Sequence, residues 1–272
     1  MTRLFNRVAE LRVDDIVITD LRFVFNVERT LRASAGKAEI KIFNLNPDHR
    51  GQLERLGSVP VVLTAGYEDG VHQIFKGDIR PCTNSYTQPD WITTIKGQDG
   101  GTRRRTARTS RSYRPGTTLE TVLSALAQDL GLGRGNVVEA ARAAQLAGAQ
   151  TEFIAGTTLA GNAMETLTAL CRSVEYEVSV QNGALQLLPL GRALAGSPLE
   201  VAADSGLVGT IEKDSKGKIK FRTQMIPDLF PGRLVAPQSR TIQSGRYRVT
   251  KCVYKGDTRG QDWNVDCEAE PL

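Results

Sequence analysis

The sequence predicts a mainly β fold with an α+β insert, in which two antiparallel β-barrel domains flank a middle region of helices and a hairpin. Apolar and polar residues alternate near both ends of the chain, as half-buried strands require. Between these parts, apolar residues recur at helical spacing. Both β-rich parts also contain an Asp-Trp pair. We therefore predict domains over residues 1–100, 101–198 and 199–272.

Alternation marks the strands of the first predicted domain. The stretch LRFVFNV places Leu21, Phe23 and Phe25 on one face, and GKAEIKIFNL does the same for Ala38 and Ile40. Further strands are predicted in VPVVLTAGY, VHQIFKGDI and WITTIKGQD, with a turn at EDG. The stretch NLNPDHRGQLERLG interrupts this pattern, and its Asn-Pro start and its later Gly predict one short helix.

The middle region changes to helical periodicity. One helix is predicted over 117–131, where Thr117 and Glu120 have the spacing of a capping box, and another over 162–174. The stretch EYEVSVQNGALQLLPLG predicts a hairpin over 175–190, because Asn-Gly is a strong two-residue turn signal. The Ala- and Gly-rich segment between the helices predicts a connection with weak helix. Helix and hairpin can cover each other's apolar faces and form one packed unit.

The two tryptophans of the chain occur in similar phrases. Trp91 lies sixteen residues after Phe75, and Trp263 lies sixteen residues after Tyr247. Each stretch contains an aromatic residue, a strand-like run, a polar loop and then Asp-Trp. We interpret these four residues as equivalent core positions of two related barrels. The alternative is that two Asp-Trp pairs occur by chance.

Composition limits the class of protein. The 272 residues are 40% hydrophobic and 24% charged, which is typical of a globular protein. No apolar run approaches the roughly 20 residues that a membrane span needs, and no signal-peptide pattern opens the chain. We therefore expect no membrane segment and synthesis in a cytoplasm. The four cysteines have no C-x-x-C spacing, so we expect buried thiols rather than disulfides or metal ligands.

The sequence contains no pattern typical of a catalytic site. Neither of its two histidines, His49 and His72, has the spacing of a zinc site. A phosphate-binding glycine loop and a serine nucleophile elbow are both missing, and the acidic residues are scattered through turns. We predict no enzyme activity, no metal and no cofactor. Scattered acids do not exclude a glycosidase, although nothing indicates one.

The basic residues are concentrated in one segment. The net charge is +5, and the segment TRRRTARTSRSYR holds a run of six arginines: Arg103, Arg104, Arg105, Arg108, Arg111 and Arg114. Such a run can bind the phosphates of DNA. It can also face an acidic protein partner or form a solvated loop. The run contains one aromatic residue and no recognition-helix pattern, so we favour a solvated or protein-facing surface over nucleic acid.

Several stretches resemble a known family. KIFNLNPDHRGQL and VVLTAGYEDGVHQIFKGDI resemble the opening barrel of baseplate hub proteins from contractile-tailed bacteriophages and related injection machines, including the late control protein D-like group. The C-terminal part is similar to their second barrel in its Pro-x-x-x-Pro-Gly turn (Pro227 to Gly232) and its Gly-x-Tyr-x-Val strand (Gly245 to Val249). NGALQLLPLG looks like their central domain. Arg233 departs from the family pattern, which commonly has an acidic or polar residue there.

The resemblance implies two tube-like barrels per chain and a structural function in the virion tail baseplate, with assembly in the host cytoplasm. It implies a homotrimer whose six barrels form a ring, matching a hexameric tail tube protein on one side and a trimeric central spike protein on the other. Other baseplate proteins are further implied partners, and the tape-measure protein or passing DNA are alternative contacts in the channel. Two other functions stay open: a tail component that contacts DNA through Arg103–Arg114, and a tail-associated cell-wall hydrolase.

Overall fold

The strands at the two ends of the chain and the helices between them follow the predicted order. The computed structural model describes residues 6–31, 35–79, 82–101, 103–239, 242 and 245–272. The N-terminal part contains one helix, α1 (Pro47–Arg55), and the following strands: β1 (Arg7–Val13), β2 (Ile16–Ile18), β3 (Phe23–Thr30), β4 (Lys37–Phe43), β5 (Pro60–Tyr67), β6 (Gly70–Ile79), β7 (Thr83–Thr87) and β8 (Asp90–Gln98).

The middle part is the insert, and it alternates helices with short strands. Its helices are α2 (Arg103–Thr106), α3 (Leu119–Leu130), α4 (Val137–Leu146) and α5 (Ala163–Ser173). Its strands are β9 (Arg108–Tyr113), β10 (Thr117–Thr118), β11 (Glu152–Phe153), β12 (Thr157–Asn162), β13 (Tyr176–Gln181) and β14 (Ala184–Pro189). Helix α4 is well formed where only weak helix was expected, because its alanines pack against the insert core.

The C-terminal part is again composed of strands. They are β15 (Leu199–Val201), β16 (Leu207–Lys213), β17 (Ile219–Gln224), β18 (Leu234–Pro237), β19 (Tyr247–Asp257) and β20 (Trp263–Pro271), with one 3-10 turn at Ala203–Ser205. The mainly β class with a helical insert is therefore confirmed. The predicted alternation is also present, since Phe23, Phe25 and Val27 of β3 are all buried.

Both β-rich parts belong to one sheet. Strand β3 pairs with β19 in antiparallel register over seven residue pairs, from Lys251–Thr30 to Asp257–Val24. Within the described residues, fourteen strands join in this sheet, and its main path runs β16-β17-β20-β19-β3-β4-β8-β6-β5-β1-β2. The pairing is antiparallel except between β15 and β18. The domain division into 1–100, 101–198 and 199–272 stays a prediction.

The described residues form two hydrophobic cores. The larger core spans the whole sheet and includes buried residues from both ends of the chain, such as Phe25 and Tyr254. The smaller core lies inside the insert, where Leu123, Leu167 and Leu187 pack together. Burying one such side chain contributes roughly 1.5–3 kcal/mol. The insert therefore contains a hydrophobic core separate from that of the sheet.

The N-terminus of α3 differs from the prediction. Thr118 is the capping residue, because its side-chain oxygen accepts a hydrogen bond from the backbone N–H of Thr121 at 3.3 Å. The hydroxyl of Thr117 instead donates to the backbone carbonyl of Arg114. The predicted Thr117–Glu120 capping box is therefore wrong by one position. The reason is that Thr117 and Thr118 form β10, which pairs with β11 and delays the start of the helix.

The hairpin of the insert has the predicted turn. Asn182 and Gly183 have φ values of 54° and 75°, which is the left-handed backbone of a type I′ turn. Helix α5 begins as predicted at Asn162, whose side chain accepts hydrogen bonds from the backbone N–H groups of Met164 and Glu165. These local signals were sufficient because each one satisfies backbone groups within a few residues.

All four cysteines are buried, as expected, and each is a free thiol. Cys252 and Cys267 lie opposite each other on β19 and β20, with their sulfur atoms 3.6 Å apart. Burial raises the pKa of the Cys171 thiol to about 12. Within the described ranges, no helix is both long enough and apolar enough to cross a membrane.

Candidate functional site

The four predicted core positions do not share one environment. Phe75, Tyr247 and Trp263 are buried, the last with 4% of its surface exposed. Trp91 is 42% exposed. The expectation that Trp91 is a core residue is therefore wrong. In β8, Thr93 and every second residue after it are buried, and Trp91 is on the same face of the strand. Trp91 is exposed because it lies beyond the part of that face on which other residues pack.

Both tryptophans nevertheless begin strands at the same end of the sheet. Trp263 pairs with Gly256, and Gly256 pairs with Phe25 on β3. Across the sheet, Phe43 at the end of β4 pairs with Ile92, the residue after Trp91. The strands β20, β19, β3, β4 and β8 are consecutive neighbours. Their alternating direction brings the starts and ends of these five strands to one edge.

An arginine side chain lies over an aromatic ring at three places along this edge. We call the set of six residues the arginine–aromatic edge; its contacts are Arg7 over Trp263 at 5.6 Å, Arg22 over Phe43 at 4.7 Å and Arg50 over Trp91 at 4.2 Å. Each distance joins the guanidinium carbon to the ring centroid and falls in the range of a cation–π interaction. Both Asp-Trp phrases thus place an indole beneath an arginine.

Hydrogen bonds hold two of these arginines in place. Arg22 donates from Nε and Nη2 to the two carboxylate oxygens of Asp257, at 3.2 and 2.7 Å. The hydrogen bond from Arg22 lowers the pKa of Asp257, although burial opposes this effect. Arg7 donates from Nη1 to the backbone carbonyl of Gly260 at 2.8 Å. The edge is therefore ordered as well as positively charged.

Trp91 belongs to a small exposed cluster, which we call the aromatic knob: Arg50, Tyr86 and Trp91. The Tyr86 ring lies 5.3 Å from the Trp91 ring, and Tyr86 is 57% exposed. The backbone N–H of Trp91 donates to the Asn44 side chain at 3.0 Å, and the Trp91 carbonyl accepts from the Asn44 N–H at 2.8 Å. These contacts fix the backbone of Trp91, while the Arg50 and Tyr86 side chains pack against its indole ring.

The hairpin that carries the knob is also tied to α1. Asn84 of β7 donates from its side-chain nitrogen to the carboxylate of Glu54 at 2.7 Å. The Asn84 side-chain oxygen accepts from the Thr93 hydroxyl at 2.6 Å. Strand β7 is otherwise exposed and pairs, among the described strands, with β8 alone. The knob is therefore a rigid projection on an edge hairpin.

A second repeated phrase was missed at the sequence level. The chain reads Phe-Lys-Gly-Asp at 75–78 and Tyr-Lys-Gly-Asp at 254–257. In both cases an aromatic ring lies against the glycine: a Cβ on Gly77 would be 2.9 Å from Cζ of Phe75, and one on Gly256 would be 2.2 Å from Cζ of Phe25. A side chain at either glycine would clash with these rings, which is the physical reason that the two strings share a glycine.

The arginine run does not form a single surface. Arg104 is buried, and burial lowers its pKa while the nearby Asp99 partly opposes the change. Arg111 donates to both carboxylate oxygens of Asp129, at 3.1 and 2.5 Å. Arg105, Arg108 and Arg114 are exposed like Arg111, but they form no ion pair with any described residue. The side chain of Arg103 lies outside the described part of the structure.

Two polar joints fasten the insert to the sheet. At the first, the carboxylate of Asp99 accepts hydrogen bonds from the backbone N–H groups of Asn182 and Gly183, both at 2.9 Å. Burial raises the pKa of Asp99, and the hydrogen bond from Gly183 acts in the opposite direction. At the second, Arg248 of β19 forms an ion pair with Glu177 of β13. The hairpin tip therefore has a defined position on the sheet.

A cleft of about 350 Å³ lies where the β5–β6 turn meets the C-terminal strands. Its apolar lining includes Leu199, Met225 and Ile226. Its charged lining consists of four carboxylates: Asp69, Glu200, Asp204 and Asp228. None of these four forms an ion pair within the described residues, and the described lining contains no Lys or Arg. We call this feature the acidic cleft.

The two histidines are both exposed, His49 in α1 and His72 in β6. His72 lies in the lining of the acidic cleft. Over the part of the chain that the structure describes, no group of three or more His, Cys, Asp or Glu side chains is arranged to hold a metal ion. The surface features described above are the arginine–aromatic edge with its knob, the acidic cleft and the exposed arginines of the basic run.

Comparison with known proteins identifies relatives across nearly the whole chain. A family model described as baseplate hub gp41 matches residues 8–265. A search of the curated proteins finds no match. Among solved structures, the chain is similar to the 43 kDa tail protein of prophage MuSo2 from Shewanella oneidensis, with 10% identity, a TM-score of 0.68, and coverage of 98% of this chain and 97% of that chain.

Two further structures have the same fold. The tail protein from Neisseria meningitidis MC58 matches with 10% identity, a TM-score of 0.67, and coverage of 97% of this chain and 96% of that chain. The Escherichia coli c3393 protein matches with 9% identity, a TM-score of 0.56, and coverage of 96% and 76%. That protein is described as a type VI secretion system component with structural similarity to the T4 bacteriophage tail proteins gp27 and gp5. At these identities the likeness concerns the fold.

Proposed function

Because the chain belongs to the baseplate hub gp41 family, we propose that three copies of it form a ring with pseudo-sixfold symmetry that joins a hexameric tail tube to a trimeric spike. The observation that supports this proposal is the pairing of β3 with β19. It sets the two β-rich parts of one chain side by side in a single sheet. Three chains would then supply six β-rich parts around one axis. We propose that the ring is assembled in the host cytoplasm and belongs to the virion tail.

The symmetry of such a ring follows from its contacts. A ring of three copies needs head-to-tail contacts, in which two different surfaces of neighbouring copies meet. Such contacts also cover sheet edges, which otherwise expose unpaired backbone groups. Strand β7 is an exposed edge of this kind. Around the ring, a contact between the two β-rich parts of one chain would alternate with a contact between neighbouring chains. The six β-rich parts would then repeat with approximate sixfold symmetry towards the tube, while the three chains present threefold symmetry to the spike.

The proposed function is mechanical rather than catalytic. The ring transmits force between tube and spike, so its requirements are rigid sheets and extensive contacts. The two polar joints at Asp99 and Arg248 serve this purpose, because they fix the insert against the sheet. Arg105, Arg108 and Arg114 give the insert an exposed basic surface for an acidic neighbour among the other baseplate proteins or in the channel.

Light scattering combined with electron microscopy of the purified full chain tests this proposal. We expect a particle of about three times 29.7 kDa with a central bore. Addition of tail tube protein should give a complex with six tube subunits for each three copies of this chain. A monomer at every soluble concentration, or a trimer without a bore, would contradict the proposed ring.

A further inference from the structure

We propose that the aromatic knob of one copy docks into the acidic cleft of the next copy, and that this contact closes the ring. The inference rests on the proposed function, because it assigns the two surfaces that meet in the head-to-tail contact. It commits to a second copy of this chain as the occupant of the cleft. The knob consists of Arg50, Tyr86 and Trp91, and the cleft lies between the β5–β6 turn and the C-terminal strands.

The composition of the knob is that of a binding hot spot. Trp, Tyr and Arg are the residue types that most often dominate the energy of protein interfaces. Here all three are adjacent: Arg50 lies over the Trp91 ring at 4.2 Å, and Tyr86 contacts the same ring. Trp91 and Tyr86 retain large exposed surfaces. Arg50 is half-buried, forms no ion pair with any described residue, and has its Nη1 atom buried without a hydrogen-bond partner, so its charge is not neutralised by the described residues of its own chain.

The knob is already ordered before any partner binds. The backbone of Trp91 is held on both its N–H and its carbonyl by Asn44. The hairpin beneath it is fixed to α1 by the Asn84–Glu54 hydrogen bond. Docking therefore orders few additional side chains or loops. The entropy cost of such ordering is what preorganisation reduces.

The acidic cleft complements the knob in shape and in charge. Its volume of about 350 Å³ falls at the small end of ligand pockets, and its lining of Leu199, Met225 and Ile226 can bury an aromatic ring. Its unpaired carboxylates, including Asp69 and Asp228, supply the charge opposite to that of Arg50. Complementary charges of this kind set orientation and exclude wrong pairings.

The positions of the two surfaces fit a contact between copies. Met225 in the cleft donates its backbone N–H to the Trp263 carbonyl, which places the cleft beside the start of β20. The knob lies at the start of β8, and four strand spacings separate β20 from β8. The cleft also includes the β5–β6 turn, so the two surfaces are formed by different strands at the same end of the sheet.

Site-specific crosslinking in the full-length chain tests the contact directly. A photoreactive benzoylphenylalanine at position 86 replaces the exposed Tyr86, and a matched probe at position 146 replaces Leu146, which is 82% exposed on α4 of the insert. After irradiation of the purified protein, mass spectrometry locates the attached peptides. We expect the position-86 probe to crosslink to segments 67–72, 199–205 or 225–228 of another copy. The position-146 probe should not reach these segments.

A substitution series provides the second readout. Trp91→Ala should raise the dissociation constant of the ring by about 30-fold or more, the effect of losing one hot-spot side chain. Arg50→Glu should also weaken the ring, and combining it with Asp69→Lys and Asp228→Lys should restore part of the loss. Leu146→Ala should leave assembly unchanged. Thermal unfolding of each variant confirms that the subunit remains folded.

The outcomes separate this inference from the proposed function. A wild-type protein that forms rings but crosslinks from position 86 to other segments would overturn the docking contact and leave the ring proposal intact. Rings that persist unchanged in Trp91→Ala would overturn it as well. A wild-type protein that is monomeric at every concentration would overturn both.

Discussion

Trp263 and Trp91 begin strands at the same end of one sheet, each after an aspartate and each beneath an arginine, yet the first lies in the core and the second on the surface. The sheet around them differs. Strand β20 is flanked by β17 and β19, and the Phe25 ring packs edge-on against Trp263 at 5.6 Å. Equivalent local sequence therefore led to two different environments.

At Trp91 the sheet provides less cover. Among the described residues, β6 pairs with β8 at its far end, through Asp78–Gln98 and Ile79–Gly97. Beside Trp91 the neighbouring strand is β7, whose residues are mostly exposed. The Trp91 ring is covered in part by the Arg50 side chain from α1 and by the Tyr86 ring from β7. Whether a side chain at the start of such a strand is buried thus depends on which neighbouring strands extend alongside it.

The largest expected effect is that of Trp263→Ala. Emptying this buried site should lower the free energy of unfolding by about 3–5 kcal/mol. Urea unfolding followed by circular dichroism measures it. Trp263→Phe is the matched control and should lose much less, because the indole Nε1 has no hydrogen-bond partner among the described residues. A loss below about 1 kcal/mol in the alanine variant would show that this end of the sheet is not packed as described.

A smaller and pH-dependent effect is expected for Asp257→Asn, beside Trp263. The Arg22 pair lowers the folded-state pKa of Asp257 below its ordinary 3.8. The ionised carboxylate therefore stabilises the fold above that pH, and this contribution is lost as the pH falls through the lower folded-state pKa. The wild type should lose stability more steeply than Asp257→Asn when the pH is lowered from 5 to 3. Equal slopes for the two proteins would contradict this assignment.

The smallest expected effect on subunit stability is that of Trp91→Ala. An exposed ring that contacts only the Arg50 guanidinium and the exposed Tyr86 ring among the aromatic and cationic groups described contributes less than about 1 kcal/mol to folding. Urea unfolding measures this free energy for Trp91→Ala and Trp263→Ala in parallel, at protein concentrations too low for the ring to form. The comparison is sharpest if Trp91→Ala weakens assembly but leaves this value nearly unchanged. A loss of several kcal/mol would place Trp91 in the core after all.

The sequence was a good guide wherever structure depends on near neighbours. Alternation predicted the strands around Phe25 and Ile40, because side chains on a strand point to opposite faces in turn. The Asn-Gly turn and the Asn162 cap were predicted because each satisfies backbone groups within a few residues. The family resemblance was also visible in strand and turn patterns, and the family match confirms it.

The candidate surfaces could be predicted only in part. The arginine run was recognised as a charge cluster, but whether a given guanidinium is free depends on residues elsewhere in the chain. Arg104 is buried near Asp99, and Arg111 is bound by Asp129. The acidic cleft was not predicted, because Asp69 and Asp228 are separated by more than 150 residues and meet only in the folded chain.

The sequence by itself determined the class of the fold, the order of its parts, most turns and caps, and the family, because these depend on periodicity and on short-range hydrogen bonding. Only the tertiary structure decided that β3 joins β19 in one sheet and that Trp263 is covered while Trp91 is not. The physical reason is that the burial of a side chain depends on strands and helices that are distant in the sequence. A local sequence pattern does not show which of these elements pack against it.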